Sequence, residues 1–159
     1  KDGTALTTSV TQFGPVLLSR ALSLSEAQEG VLTVAFKYAS DNKIPLLSLH
    51  DFQKLLTIIS AKAKTLSTVY GNIPPASIST IQRRLLILEQ QGAASFLSGV
   101  ETDVTSFLSV GGYGGIVNIL KANQLFENPR LYSTVLFWLL SLPFSTQSIM
   151  LSDLVPANK

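Results

Sequence analysis

With 159 residues the chain has the length of one ordinary domain, and 46% hydrophobic content is enough to build a sizeable core. Only 14% of the residues are charged and the mean hydropathy is +0.34, so part of the surface is expected to be covered by another body. The 12 basic and 10 acidic residues leave a charge of +2 without a basic stripe, which disfavours an autonomous nucleic-acid reader, while zero cysteines and the single His50 disfavour disulfides and zinc sites.

Residues 1–8 lack the apolar stretch of a signal peptide. The densest apolar run, 135–142, is far shorter than the roughly 20 residues that span a bilayer. The expected setting is away from the membrane, and the cysteine-free composition suits the cytoplasm.

In chain order, Gly14-Pro15 opens the first periodic segment, a short helix through Val16, Leu17, Leu18 and Arg20 to about Leu22. Ser25 and Gln28 have the spacing of a capping box, and Ala27, Val31, Val34, Ala35 and Tyr38 predict a second helix to about Ser40. Asp41, Asn42, Lys43 and Pro45 form a turn cluster. Ser48 then caps a third helix with Phe52, Leu55, Leu56 and Ile59 on one face, and Lys62 and Lys64 near its end complement the macrodipole.

Gly71, Pro74 and Pro75 break the chain before a fourth helix that begins near Ala76 or Ser77. Ile78, Ile81, Leu85 and Leu88 line its inner stripe, Arg83, Glu89 and Gln90 lie off it, and Gly92 stands where a C-terminal cap belongs. Ile87 falls outside the stripe, close to Arg83, and marks a second contact surface.

Beyond this point a short helix is expected around 105–108, and the glycine run 111–115 reads as a hinge or loop. Residues 116–120 are apolar and β-branched, the pattern of a buried strand that must pair either here or with a sheet elsewhere. Asn128-Pro129 starts a last helix, apolar nearly all round, which Pro143 is expected to end; a helix of that kind has to be covered on several sides. The tail, 143–159, has no clear period, and no solenoid-length repeat is visible.

A phosphate-binding loop needs glycines whose amides face the phosphates and a lysine that neutralises them, yet the sequence contains no Gly-Lys dipeptide. A magnesium-binding strand ending in Asp-Glu is absent as well. His50-Asp51 has no nucleophile on a Gly-x-Ser-x-Gly turn and reads as the first turn of the third helix. Arg83, Arg84 and Arg130 are the candidates for a phosphate or interface contact, since a guanidinium matches phosphate oxygens in pairs; the plainer alternative is a solvated helix face. Phe137 and Trp138 read as core rather than as a platform for bases.

The runs 13–20 (FGPVLLSR), 28–32 (QEGVL), 70–73 (YGNI), 81–92 (IQRRLLILEQQG), 115–120 (GIVNIL) and 129–132 (PRLY) together resemble the bacterial HerA-like group of the HerA and FtsK branch of P-loop ATPases. The resemblance covers about 10–142 and implies a position between the Walker A and Walker B motifs. It implies a mainly α fold: a helical insertion over 10–110, then a strand-helix unit of an α/β RecA-like core over 111–142, with 143–159 as an atypical tail that departs from the family pattern. The implied function is that of an internal fragment of a DNA helicase or translocase, inactive alone and without catalytic or metal-binding residues of its own. ATP and magnesium belong to the intact protein. The implied partners are the rest of the ATPase core, further copies in a homo-oligomer, and DNA through the intact protein. The rival reading is a freestanding helical interaction module without enzymatic activity.

Overall fold

The computed structural model describes residues 5–103, 110–111, 114–115, 119–120 and 128–154. They fall into two compact units, Lys1–Thr102 and Asp103–Lys159.

The first helix starts earlier than Pro15. Ser9 is extended and its hydroxyl accepts the amide of Gln12 at 3.1 Å, which caps a turn that opens α1 (Val10–Ala21). Gly14, at φ 78°, ψ 167°, interrupts this helix, and Pro15, whose ring fixes a helical φ, restarts it. The Gly-Pro signal thus marks the second start of α1 rather than its first.

In α2 (Glu26–Asp41) the capping spacing works as expected: the Ser25 amide donates to the Gln28 side-chain oxygen at 3.1 Å. The buried stripe is turned from the expected one. Val31, Leu32, Ala35 and Ala39 are buried, Val34 and Tyr38 are half-buried, and Ala27 is exposed. The physical reason is crowding: α2 packs against α1, α3 and α4, so its inner face must serve three neighbours.

Ser48 caps α3 (Leu49–Tyr70), its hydroxyl accepting the Asp51 amide while the Asp51 carboxylate accepts the Ser48 amide at 3.0 Å. Phe52, Leu55, Leu56 and Ile59 are buried as expected, joined by Leu66. Lys62 and Lys64 do not sit near the helix end. The helix runs on to Tyr70 with no basic residue in its last turn, stopping at Gly71, φ 93°.

Helix α4 (Pro75–Leu88) begins one residue before Ala76, because a proline loses nothing at a helix start where its amide would have no partner. Ile78, Ile81, Leu85 and Leu88 form its buried stripe, and Gly92 takes the positive φ of 89° expected of a terminating glycine. It does so inside a π-helical turn, Glu89–Ala93, from which a last turn, α5 (Ala94–Phe96), follows. Gln53 on α3 donates to Glu89 at 3.1 Å, and the Phe36 and Phe52 rings lie 5.3 Å apart between α2 and α3. The core of the unit is this α2, α3, α4 cluster with α1 against α2.

In the second unit, β1 (Val110–Gly111) pairs antiparallel with β2 (Gly114–Gly115), Val110 opposite Gly115 and Gly111 opposite Gly114. Part of the glycine run is therefore ladder rather than loop. The expected helix at 105–108 and residues 116–118 of the expected strand lie outside the described residues. Ile119 and Leu120 belong to neither helix nor strand, and Ile119 is 89% exposed, unlike a buried strand. A β-branched run favours extended backbone but needs a partner to become a strand.

Asn128 accepts the Leu131 amide at 3.2 Å and opens α6 (Pro129–Leu154). Contrary to expectation, α6 does not end at Pro143; a proline removes a single amide donor, which a long helix can lose. Nor is α6 covered all round at its start. Leu131, Thr134, Val135 and Trp138 are buried on one stripe, whereas Phe137 and Leu140 are 56% and 67% exposed.

Candidate functional site

Arg83 and Arg84 are neighbours in sequence but not in role, because successive helical residues point about 100° apart. Arg84 is half-buried and turned inward, where its guanidinium donates to the carbonyl of Leu22 at 2.8 Å and to that of Ser23. These carbonyls close the C-terminal end of α1, and Ser23 itself takes a positive φ of 53°. A cation there answers the negative end of the helix and satisfies acceptors that α1 leaves open. Arg84 is thus a fastener between α4 and the α1–α2 turn. Arg84→Met is expected to lower stability by about 1.5–3 kcal/mol, the usual worth of hydrogen bonds to a charged group, as read from the urea midpoint followed by circular dichroism. An unchanged midpoint would remove this role.

Arg83 faces outward, exposed, with a 3.4 Å contact from its guanidinium to the Thr80 hydroxyl. Around it on the same side of α4 stand Leu86 and Ile87, each 53% exposed, and the exposed Gln90. Ile87 thus lies off the buried stripe, as its register predicts, on the exposed side of α4. Arg130 is exposed in the first turn of α6, and its carbonyl accepts the hydroxyls of Ser133 at 3.0 Å and Thr134 at 2.7 Å.

His50 is exposed in the first turn of α3, and its neighbour Asp51 is occupied by capping. Hydrogen bonds from the Ser48 amide and then its hydroxyl hold the Asp51 carboxyl below the usual carboxylate range. The ionised form therefore favours the fold. That contribution is complete above the unfolded value of about 3.9 and is lost as pH falls through the lower folded value. Asp51→Asn is expected to narrow the difference in urea midpoint between neutral pH and about pH 2, and an undiminished difference would show that Asp51 contributes nothing to it.

A charged cluster that sequence reasoning did not single out joins the ends of α2 and α3. Lys37 and Asp41 form an ion pair at 2.7 Å with i, i+4 spacing, and the Tyr70 hydroxyl donates to Asp41 at 3.1 Å. The hydrogen bond from Lys37 lowers the Asp41 pKa, and desolvation followed by the Asp41 contact raises that of Tyr70. The Lys37-Asp41 spacing was readable in the sequence; the arrival of Tyr70 was not. Among the described residues no three His, Cys, Asp or Glu side chains gather as a metal site, and no helix is long and apolar enough to cross a membrane.

Over residues 1–148 the sequence matches the family described as Helicase HerA-like C-terminal. The chain belongs to this family. No curated protein and no solved structure matches it. The HerA-like span takes in the whole first unit and continues into α6, so Arg83, Arg84 and Arg130 all lie within it. Of these three HerA-like arginines, Arg84 is committed to the fold, while Arg83 and Arg130 present their side chains at the surface.

Proposed function

We propose that the chain is the helical portion of a cytoplasmic HerA-like P-loop ATPase of the HerA and FtsK branch. It lies between the phosphate-binding loop and the magnesium-binding strand and contributes shape and subunit surface to a DNA helicase or translocase. The observation that carries this reading is the continuous family match over 1–148 in a sequence without a Gly-Lys or an Asp-Glu dipeptide. Phosphoryl transfer needs a backbone cradle with a lysine for the phosphates and carboxylates for magnesium. On this reading both are supplied by the rest of the ATPase core, and this chain holds neither ATP nor magnesium by itself.

The outward face of α4, with Arg83 between Leu86 and Ile87, has the chemistry of a contact surface: apolar area to bury and one guanidinium able to reach a carboxylate or phosphate. Arg130 is a second such contact. The exposed Phe137 and Leu140 favour a chain covered by the ATPase core or by another copy over a freestanding module.

Equilibrium dialysis and a phosphate-release assay test this on the isolated chain. Neither saturable binding of magnesium-ATP nor turnover is expected. Magnesium-dependent turnover that stays with the chain through successive purifications would overturn the reading. A Gly-x4-Gly-Lys-Thr motif encoded upstream in the same frame would support it, and a start codon immediately before Lys1 would favour the freestanding module.

A further inference from the structure

Residues 5–13, an extended stretch followed by the first turn of α1, form an arm that precedes the rest of that helix. Tertiary hydrogen bonds tie them to 46–47 and to 96–102. Thr8 donates its amide to Phe96 at 2.8 Å and accepts that of Gly99 at 3.2 Å; Thr7 accepts the Thr102 amide at 2.9 Å and donates its own to the Thr102 hydroxyl at 2.8 Å. Ser9 reaches the Glu101 carboxylate at 2.8 Å. Val10 and Thr11 donate to the carbonyls of Leu47 and Leu46 at 3.1 and 2.9 Å. Thr8, Ser9, Val10 and Phe13 are buried, the last with its ring 5.7 Å from that of Phe96.

Immediately after this arm stands Gly14, at φ 78°, where an added Cβ would meet nothing within 4 Å. The glycine is thus required by its torsion and not by space, and Pro15 starts the remainder of α1 afresh beyond it. A segment anchored by a row of hydrogen bonds and two apolar side chains, joined to the core through one glycine, has the parts of a hinged strap.

We propose that residues 5–13 undock as one unit about Gly14 while α2, α3 and α4 remain folded. Release would free the carbonyls of Leu46, Leu47 and Phe96 and the amides of Gly99 and Thr102, a slot whose occupant is this arm. It would also part the two ends of the helical unit, since 5–9 and 97–102 are the segments that the docked arm holds side by side. The arm is therefore a clasp that sets whether the helical unit is closed or open at its neck.

Native-state hydrogen exchange on the full chain tests this. The amides of Thr8, Val10, Thr11, Gly99 and Thr102 should share one opening equilibrium and exchange at least about tenfold faster, after correction for intrinsic rates, than those of Leu55 and Ile59. Equal protection of both groups would mean that the arm opens only with the whole unit, and protection rising gradually from Thr7 to Phe13 would mean simple fraying; either result overturns the proposal. The cysteine-free sequence also permits a staple, Thr7→Cys with Thr102→Cys. Once oxidised, it should slow the arm amides by about tenfold or more and leave the α3 amides nearly unchanged. If the staple closes and the arm amides do not slow, or α3 slows equally, the clasp is refuted; if it does not close, the pattern in the unmodified chain decides.

Discussion

Phe52→Ala is expected to cost the first unit about 3–5 kcal/mol, the range for truncating a buried phenylalanine. Phe52 is fully buried on α3 and its ring meets Phe36 of α2 at 5.3 Å, so alanine removes both the transfer of the ring from water and its partner's contact. Two helices lose their common filler, and neither can close the gap without leaving α4. Against a usual total of about 5–15 kcal/mol, this is enough to bring the unit near its unfolding threshold at room temperature. Urea unfolding followed by circular dichroism checks it: the midpoint should fall with little change in slope. A loss below about 1 kcal/mol would mean that the α2–α3 interface repacks around the cavity.

Gly99→Val should be comparably damaging for a different reason. Gly99 takes φ 88°, and a Cβ built there lies 2.9 Å from the Leu47 Cβ and 3.4 Å from its carbonyl carbon. Torsional strain of about 1–3 kcal/mol then adds to displacement of a packed neighbour, worth about as much again. The neighbour is backbone-bound, since the Leu47 carbonyl accepts the Val10 amide and the adjacent Ser48 bridges Ser98. Gly92→Ala is the control: its φ is 89°, yet nothing lies within 4 Å, so it should lose only the torsional part, about 1 kcal/mol. Thermal midpoints of the two variants should therefore separate clearly. Equal shifts would show that the close approach to Leu47 costs nothing.

Helix existence was readable where two local signals agreed. Ser48 with its cap and the Phe52, Leu55, Leu56, Ile59 stripe located α3, and the Ile78, Ile81, Leu85, Leu88 stripe located the inner face of α4. Misreadings arose where a local rule was asked to decide a matter of context. Pro143 marks a boundary in short peptides but not in α6, and Lys62 and Lys64 suggest a helix end only if the helix stops there. The inner face of α2 depends on three neighbours that no periodicity names. At the candidate site, Arg83 and Arg84 looked like a pair in sequence. Their separation into an exposed residue and a fastener comes from where the α1–α2 turn lies, a tertiary fact without a sequence signature.

The position of Trp138 has a spectroscopic consequence. It is the sole tryptophan of the chain, it lies in the second compact unit, and it is buried there. Indole emission thus follows the environment of α6, while far-ultraviolet ellipticity is weighted toward α1 through α4, which hold no indole. A denaturation curve from fluorescence and one from ellipticity therefore sample different parts of the same molecule. Were their midpoints to differ, the gap would measure how separately the two units unfold, and would not be a sign of an intermediate within either.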